Sequence, residues 1–210
     1  MPVDPLTGFV TGGHRLPREF YAGDTLAVAR AMLGKLLVHR SPEGIAAGRI
    51  VETEAYIGPG DRGAHSYGGR RTGRTEVMFG PPGMAYVYLV YGIHYCFNAV
   101  TAEAGRPEAV LVRSIEPVLG QELMARRRSR AVPVRALGNG PGKLCLALGI
   151  DGSLSGADLE GDELYLTDDG QAVPDTRVRT TPRINLGYAG PDRDLPWRFV
   201  IDGHPCLSAR

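Results

Sequence analysis

Two runs of β-branched and aromatic residues meet at a Tyr91-Gly92 junction near the middle of the chain. The run 84–90 is a strong strand pattern, because Val and Tyr favour extended backbone. The run 93–100 can return beside it through a tight turn. The segment therefore predicts an antiparallel hairpin in which Tyr86 and Tyr88 face one way while the tip tyrosine projects beyond the sheet.

A second strand pattern covers residues 50–56, where three positions are β-branched. Side chains alternate faces along a strand, so Glu52, Glu54 and Tyr56 should share one surface. Taken alone, the pattern is also typical of a solvated sheet edge with two surface glutamates. The aromatic hairpin that follows favours a functional surface instead.

Local signals predict the remaining elements. Asp24 can cap a helix over residues 25–33 that ends at Gly34, and the turn 41–44 joins a strand at 35–39 to the one carrying the two glutamates. Further strands are predicted at 109–113, 163–167 and 198–201, and further helices at 119–130 and 144–148. Between residues 58 and 83 lies a Gly-, Pro- and Arg-rich loop longer than a connection needs, which is typical of a functional loop.

The chain has 210 residues, 43% of them hydrophobic, which is enough for one compact domain. We expect a flexible arm over residues 1–15 and a single domain over 16–210. No targeting segment or membrane span is evident, so a cytoplasmic location is expected. Three widely spaced cysteines and five histidines form no ligand pattern, and we therefore expect no metal and no other cofactor.

Charge is distributed unevenly along the chain. Residues 62–143 carry twelve Lys/Arg and five Asp/Glu, a net charge of +7, whereas residues 1–61 carry −1 and residues 144–210 carry −5. A basic sector is what contact with a phosphate backbone needs, although a charge run alone is usually a solvated face. The run Arg126–Arg130 fits equally well the preference of cations for helix C-termini.

The Gly-rich segment 138–143 precedes a predicted helix. Backbone amides at such a start can hold a phosphate, but the segment lacks the spacing of a nucleotide P-loop, which excludes that interpretation.

The central third also combines tyrosines, a histidine and an asparagine that suit a flat, hydrogen-bonding ligand. Aromatic faces stack on a purine, while His and Asn can contact its edge. Each tyrosine alone is more typical of a sheet surface or core. The candidate set is Glu54, Tyr56, His65, Tyr86, Tyr88, Tyr91, Asn98 and Arg113.

Ordered motifs across most of the chain resemble the alkyladenine (3-methyladenine) DNA glycosylases, with coverage from about Leu16 to Leu207. The motifs are V-E-T-E-A-Y at 51–56, A-H-S at 64–66, Y-V-Y-x-x-Y-G at 86–92, C-x-N at 96–98, V-L-x-R at 110–113, E-P-V-L-G at 116–120 and G-P-x-K-L-C at 140–145. The resemblance implies an α+β domain with a curved, mostly antiparallel sheet. It also implies action on a purine flipped out of duplex DNA, by an enzyme that works as a monomer.

Residue roles follow from the resemblance. Glu54 matches the family's general base, which deprotonates a water that Arg113 also holds. The residues matching those around the flipped base are Tyr56, His65 and Tyr88, with Asn98 disfavouring normal guanine. Tyr91 matches the side chain that fills the gap in the base stack. Possible phosphate contacts are Arg70, Arg71, Arg74 and Lys143.

The expected substrates are 3-methyladenine, 7-methylguanine, hypoxanthine and ethenoadenine in double-stranded DNA. No lysine lies among the matched pocket residues, so the sequence predicts a monofunctional enzyme that leaves an abasic site. His94 departs from the aromatic or Met-like neighbourhood of relatives, which bears on lesion preference. The long arm of some animal relatives is absent, as expected of a bacterial-type minimal enzyme.

Two alternatives remain open from the residues. The first is a glycoside or nucleoside hydrolase that uses Glu52 and Glu54 as an acid/base pair, since strand neighbours two apart stand about 6–7 Å from each other. The second is a DNA-binding module that flips damaged bases but has lost catalysis. The basic sector argues against the first, and the presence of both Glu54 and Arg113 argues against the second.

Overall fold

The computed structural model describes residues 14–129 and 131–208. Within these residues, nine strands join one sheet in which every pairing is antiparallel. The strands are β1 (His14–Arg15), β2 (Leu36–Ser41), β3 (Gly44–Tyr56), β4 (Ala85–Val90), β5 (His94–Thr101), β6 (Glu108–Leu119), β7 (Leu164–Asp168), β8 (Val178–Thr181) and β9 (Arg198–Ile201).

Helices are short and peripheral. The α-helices are α1 (Arg18–Tyr21), α2 (Thr25–Ala31), α3 (Gln121–Arg128) and α4 (Pro141–Leu148). Short 3₁₀ segments occur at Gly58–Gly60, Tyr67–Gly69, Glu76–Phe79, Val134–Ala136, Gly152–Leu154, Asp175–Arg177 and, interrupted by a kink at Gly190, Gly187–Asp194.

Strand β3 is the centre of the sheet. The strand order is β1-β7-β2-β3-β6-β5-β4, and β9 adds to β3 and carries β8. Because a strand has two edges and β6 takes one of them, β2 and β9 divide the other: β2 pairs with residues 44–49 and β9 with residues 52–54. The sheet curls into an open half-barrel, which confirms the predicted α+β class with a curved antiparallel sheet.

The main core lies between the sheet and the helices. Helix α2 contributes Val28 and Ala29, and α4 contributes Leu144 and Leu148, all of them buried. They pack with sheet residues that include Ile50, Val112 and Val200. Apolar side chains therefore cover one face of β3, and the polar residues of the strand contact other parts of the molecule.

Several local predictions are confirmed. The side chain of Asp24 accepts a hydrogen bond from the Ala27 amide at 2.9 Å, so it caps α2 as predicted. Helix α2 ends at Ala31 rather than at residue 33, and Gly34 follows with the predicted left-handed backbone, φ +86°, where an added Cβ would lie 2.8 Å from a Val173 methyl. The predicted strands β2 and β3 form an antiparallel hairpin around the turn before Gly44.

Other boundaries differ from prediction. Strand β6 extends to Leu119 rather than ending at Arg113, because its second half pairs with β3. Helix α3 starts at Gln121, since Gly120 takes a left-handed φ of +72° with its Cα next to the Ile45 carbonyl. Helix α4 starts at Pro141, whose ring fixes φ at a helical value.

The predicted N-terminal arm of residues 1–15 falls mostly on residues 1–13, which lie outside the described residues. Its last two residues, His14 and Arg15, instead form β1 and pair with Asp168 and Thr167 of β7. Strand β8 and helix α1 were not predicted, because each has only four residues, too few for a clear periodic pattern. None of the helices described for this chain has the length and apolar content to cross a bilayer.

Candidate active site

A β-bulge sets the direction of Arg113. Consecutive residues Glu52 and Thr53 of β3 pair with β6 residues that flank Arg113, so the arginine is the extra residue in the ladder. Bulges re-aim side chains. The Arg113 Nε lies 3.2 Å from Glu52 Oε1, and its Nη1 lies 3.2 Å from Glu54 Oε2. One guanidinium therefore binds both carboxylates.

Glu54 is completely buried and accepts hydrogen bonds from three donors. Its Oε2 accepts from Arg113 and from the Tyr56 hydroxyl at 2.9 Å. Its Oε1 accepts from the Ile184 amide at 2.7 Å. Glu54 itself exposes no surface, but all three donor residues line the cleft described below.

Tyr56 contacts Glu54 through its hydroxyl and Arg183 through the face of its ring. Burial, together with the adjacent Glu54, raises the pKa of Tyr56 well above its usual range, so the hydroxyl stays protonated and can donate. The guanidinium of Arg183 lies 4.8 Å from the centre of the Tyr56 ring. Arg183 forms a fully buried ion pair with Asp61 at 2.5 Å, which joins the loop after β3 to the segment that carries Ile184.

Three rings form the opposite side of the site. His65 and Tyr88 meet edge to face with centroids 4.5 Å apart, and Tyr86 lies 5.1 Å from Tyr88. The Tyr86 hydroxyl is 2.8 Å from His65 Nδ1. Tyr86 and Tyr88 share a face of β4 as predicted, and a hydrogen bond from Ser66 Oγ to the Pro107 carbonyl, 2.8 Å long, holds the His65 loop against the sheet.

His65 is neutral near pH 7. Burial lowers the pKa of its imidazole below 6.5, and the nearby charge of Arg74 lowers it further. Protonation would place a second cation beside Arg74 at a partly buried position, so the neutral ring is favoured.

Asn98 lies at the inner end of the pocket. It is 3% exposed, and its Nδ2 donates to the Tyr86 carbonyl at 3.0 Å. This bond fixes the plane of the amide. The inner pocket is lined by Tyr56, Gly63, His65, Met78, Tyr86, Tyr88, Asn98, Ala109 and Tyr188.

The pocket continues into a wider cleft of about 440 Å³, within the range of small-molecule sites. Cleft and pocket share Tyr56, His65 and Tyr88. The cleft therefore brings together the predicted residues Tyr56, His65, Tyr88, Tyr91 and Arg113, with Glu54 directly beneath it and Asn98 at its inner end.

The hairpin tip stands at the rim of this cleft. Tyr91 is 88% exposed and has φ +52°, and Gly92 follows with φ +73°. Ile93, on the other side of the tip, is 72% exposed. Below the tip, His94 packs against α4 at Gly142, where an added Cβ would lie 2.9 Å from the His94 Cβ.

The predicted phosphate contacts have different surroundings. Arg70 is exposed, Arg71 pairs with Glu76, and Lys143 donates to the Asn139 side chain at 3.0 Å. Arg74 lines the cleft and lies 5.7 Å from the Tyr88 ring centre.

In the run 126–130, Arg127 donates to the Leu148 carbonyl and pairs with Glu43. It therefore fastens α3 to α4 and is not available to a phosphate. Arg130 lies outside the described residues.

The described ranges 14–129 and 131–208 contain no cluster of three His, Cys, Asp or Glu that could hold a metal ion. Cys96, Cys145 and Cys206 are buried and unpaired.

Sequence reasoning missed the segment after β8. Ile184 reaches Glu54 through its backbone, for which no side-chain pattern exists, and Tyr188 adds a ring 70% exposed to pocket and cleft. It also missed the partners of Glu52. That residue is bound by Arg113, Arg198 and Ser208. Of these donors only Arg113 lines the cleft, whereas all three donors to Glu54 do, which argues against an acid/base pair of Glu52 and Glu54.

Comparisons with known proteins agree with this geometry. The sequence profile of the methylpurine-DNA glycosylase (MPG) family matches residues 19–205. A Desulfitobacterium hafniense protein is 49% identical, covering 93% of this chain and 99% of its own, and one from Bacillus thuringiensis is 48% identical, covering 92% and 98%. Both carry the provisional name 3-methyladenine DNA glycosylase. The match spans nearly the whole domain, including every cleft residue, and the chain therefore belongs to the methylpurine-DNA glycosylase family of DNA-repair hydrolases.

Proposed function

We propose that this protein excises damaged purines from double-stranded DNA by hydrolysis of the N-glycosidic bond, working as a monofunctional, monomeric glycosylase. Its substrates are 3-methyladenine, 7-methylguanine, hypoxanthine and ethenoadenine, and its product is an abasic site. The observation that carries the proposal is Glu54, a fully buried carboxylate held by three donors beneath a cleft with aromatic rings on both sides.

Glu54 is suited to act as the general base. A carboxylate has about four lone-pair positions, and protein donors occupy three of them. The remaining position on Oε1 can accept a hydrogen bond from one water. Arg113, bound to the other oxygen, fixes the carboxylate and offers the water a second partner.

The reaction transfers one proton and breaks one bond. The water oxygen attacks C1′ of the deoxyribose while Glu54 takes the water proton, and the pair of electrons in the C1′–N bond goes to the departing base. An N3- or N7-alkylated purine is a cation, so it leaves as a neutral molecule without needing a strong acid. Hypoxanthine and ethenoadenine are neutral, so they depart as anions that take up a proton from solvent. Positive charge that develops on the sugar makes an ordinary carboxylate an adequate base.

The rings supply binding and selection. Tyr56 on one side and His65 with Tyr88 on the other can stack on a flipped purine, and electron-rich faces favour a cationic base. Neutral His65 adds no repulsion. Asn98, whose amide is fixed by the Tyr86 carbonyl, is proposed to crowd the 2-amino group of normal guanine.

The hairpin tip is the part of the molecule proposed to insert into the DNA duplex. Tyr91 exposes an apolar ring on a short turn, as expected of a side chain that fills the space a flipped base leaves. Arg70, Arg71, Arg74 and Lys143 belong to the basic sector and are proposed to contact phosphates.

Lysine content supports monofunctional chemistry. Strand cleavage by a glycosylase uses an amine that forms a Schiff base with the sugar. The chain has two lysines, Lys35 and Lys143. Lys35 forms an ion pair with Asp168, and Lys143 bonds Asn139, and neither lines the cleft.

A panel of lesion duplexes tests the proposal. Each duplex carries one of the four lesions, and the products are scored for free base, for strand breaks before and after heating in alkali, and for covalent trapping by borohydride. We expect free base with breaks only after alkali and with no trapped complex. Release of no base from any duplex would contradict the glycosylase assignment, whereas a trapped complex would contradict only the monofunctional mechanism.

A further inference from the structure

Glu52 is a second buried carboxylate of β3, and it takes no part in lining either cavity. It is completely buried. Burying a charge costs several kcal/mol unless partners compensate it, so its environment must supply strong ones.

Those partners are two guanidiniums and a segment distant in sequence. Arg198 Nε donates to Glu52 Oε1 at 2.7 Å, and Arg113 Nε donates to the same oxygen at 3.2 Å. The Ser208 hydroxyl donates to Oε1 at 2.7 Å, and the Ser208 amide donates to Oε2, also at 2.7 Å. Glu52 thus joins β6, β9 and the residues after β9 at one point.

The same guanidinium binds both glutamates. Arg113 offers Nε to Glu52 and Nη1 to Glu54, so any rotation about its side chain breaks at least one contact. The cluster holds two carboxylates (Glu52, Glu54) and two guanidiniums (Arg113, Arg198), and these four charges balance.

We propose that Glu52 is the positioning residue of this site, acting through Arg113 to orient the guanidinium against Glu54 and to keep the charge around the base balanced. This role rests on the glycosylase function proposed above. Glu52 touches no substrate and moves no proton.

Glu52→Gln keeps the volume of the side chain and removes its charge. The cluster then holds two guanidiniums and a single carboxylate, Glu54, so the ionised form of Glu54 is favoured in the variant and Glu54 becomes a weaker base. The expected result is a drop in single-turnover base release of about tenfold to hundredfold. The acidic limb of the pH–rate profile should move to lower pH, while affinity for lesion duplex stays within about twofold of the parent.

Glu108→Gln is the matched control. Glu108 is also a buried glutamate of the sheet, 5% exposed, and it accepts hydrogen bonds from Thr25 at 2.5 Å and Arg106 at 2.8 Å. It contacts neither Arg113 nor the cleft. Its variant should lose thermal stability while the acidic limb and the single-turnover rate of the folded fraction stay unchanged, which is the behaviour of a purely structural carboxylate.

A charge-balanced double variant separates orientation from packing. Adding Arg198→Gln to Glu52→Gln leaves one guanidinium and one carboxylate, so the acidic limb should return towards its original pH although two buried contacts have been lost. If Glu52 had only a structural role, the acidic limb of the double variant would lie no closer to that of the parent than the acidic limb of Glu52→Gln does.

Ser208→Ala covers the case in which Glu52→Gln does not fold. It removes one donor to Glu52 and should lower the single-turnover rate about two- to fivefold with no change in affinity, a fraction of the effect of losing the whole carboxylate. An unchanged rate and acidic limb, in folded Glu52→Gln or else in Ser208→Ala, would overturn the role of Glu52. This outcome can be distinguished from failure of the proposed function. If the proposed function fails, the parent protein itself releases no base.

Discussion

Tyr88 and Tyr91 lie three residues apart on one hairpin and have opposite environments. Tyr88 belongs to β4 and packs against His65 and Tyr86, and burial raises the pKa of its hydroxyl far above the usual range. Tyr91 occupies the tip with 88% of its surface exposed. Exposing a large ring has no benefit for folding, and this contrast supports our proposal that the half-buried ring receives a base and the exposed ring takes the place of one.

The largest expected effect is on the chemical step, which depends on Glu54 rather than on either tyrosine. Glu54→Gln keeps the shape of the side chain but removes the base, so release of hypoxanthine from duplex DNA should fall by about a thousandfold or more. Binding to ethenoadenine duplex should be nearly unchanged. Single-turnover release and equilibrium binding measure the two effects, and substantial excision by the variant would show that another group activates the water.

The next effect tests the tip. Tyr91→Ser should weaken binding to lesion duplex about tenfold to hundredfold, because the gap in the stack is then unfilled. A lesion in single-stranded DNA, which needs no extrusion, should be processed almost as by the parent. Val134→Ser, at an apolar side chain 46% exposed outside the cleft, is the control, and equal losses on both substrates would exclude a wedge.

A smaller effect should come from the support of the tip. Gly142→Ala places a Cβ 2.9 Å from His94 Cβ, so the hairpin must shift, and we expect a loss of lesion-duplex affinity of several-fold with about 1–3 kcal/mol of stability. Gly60→Ala, which meets no atom within 4 Å, should be silent. If the shifted hairpin is the cause, adding His94→Gly, which removes the clashing Cβ, should restore affinity.

The smallest effect concerns charge beside the buried rings. His65 has a lowered pKa, so it is neutral at pH 7 and becomes cationic only as the pH falls below 6.5. Excision of cationic 7-methylguanine relative to neutral hypoxanthine should therefore decrease a few-fold towards acid pH. Both substrates use the same general base, so the effect of its titration cancels in the ratio of the two excision rates. In His65→Gln it should be flat with pH, and a pH-dependent ratio in that variant would point to another group.

Sequence could predict the positions of the tyrosines but not the contacts of the two glutamates. Alternation and the Tyr-Gly junction were enough to place Tyr86 and Tyr88 on one face and Tyr91 at a tip, because those relations are local. The bulge at Arg113 was not predictable, since it depends on the register between β3 and β6. The hydrogen bonds from the Ile184 backbone to Glu54 and from Ser208 to Glu52 were also missed. The donors lie about 130 and 156 residues away in sequence from these glutamates.

The pairing of β9 with β3 has a consequence for the order of folding. Residues 198–200 join residues 52–54 across a separation of some 146 positions, and contacts so distant form slowly. A chain in which β2, β3 and β6 have already paired still lacks Arg198 beside Glu52. With the role proposed for Glu52, base release requires the completed tertiary structure, so we expect partly folded molecules to release no base from DNA.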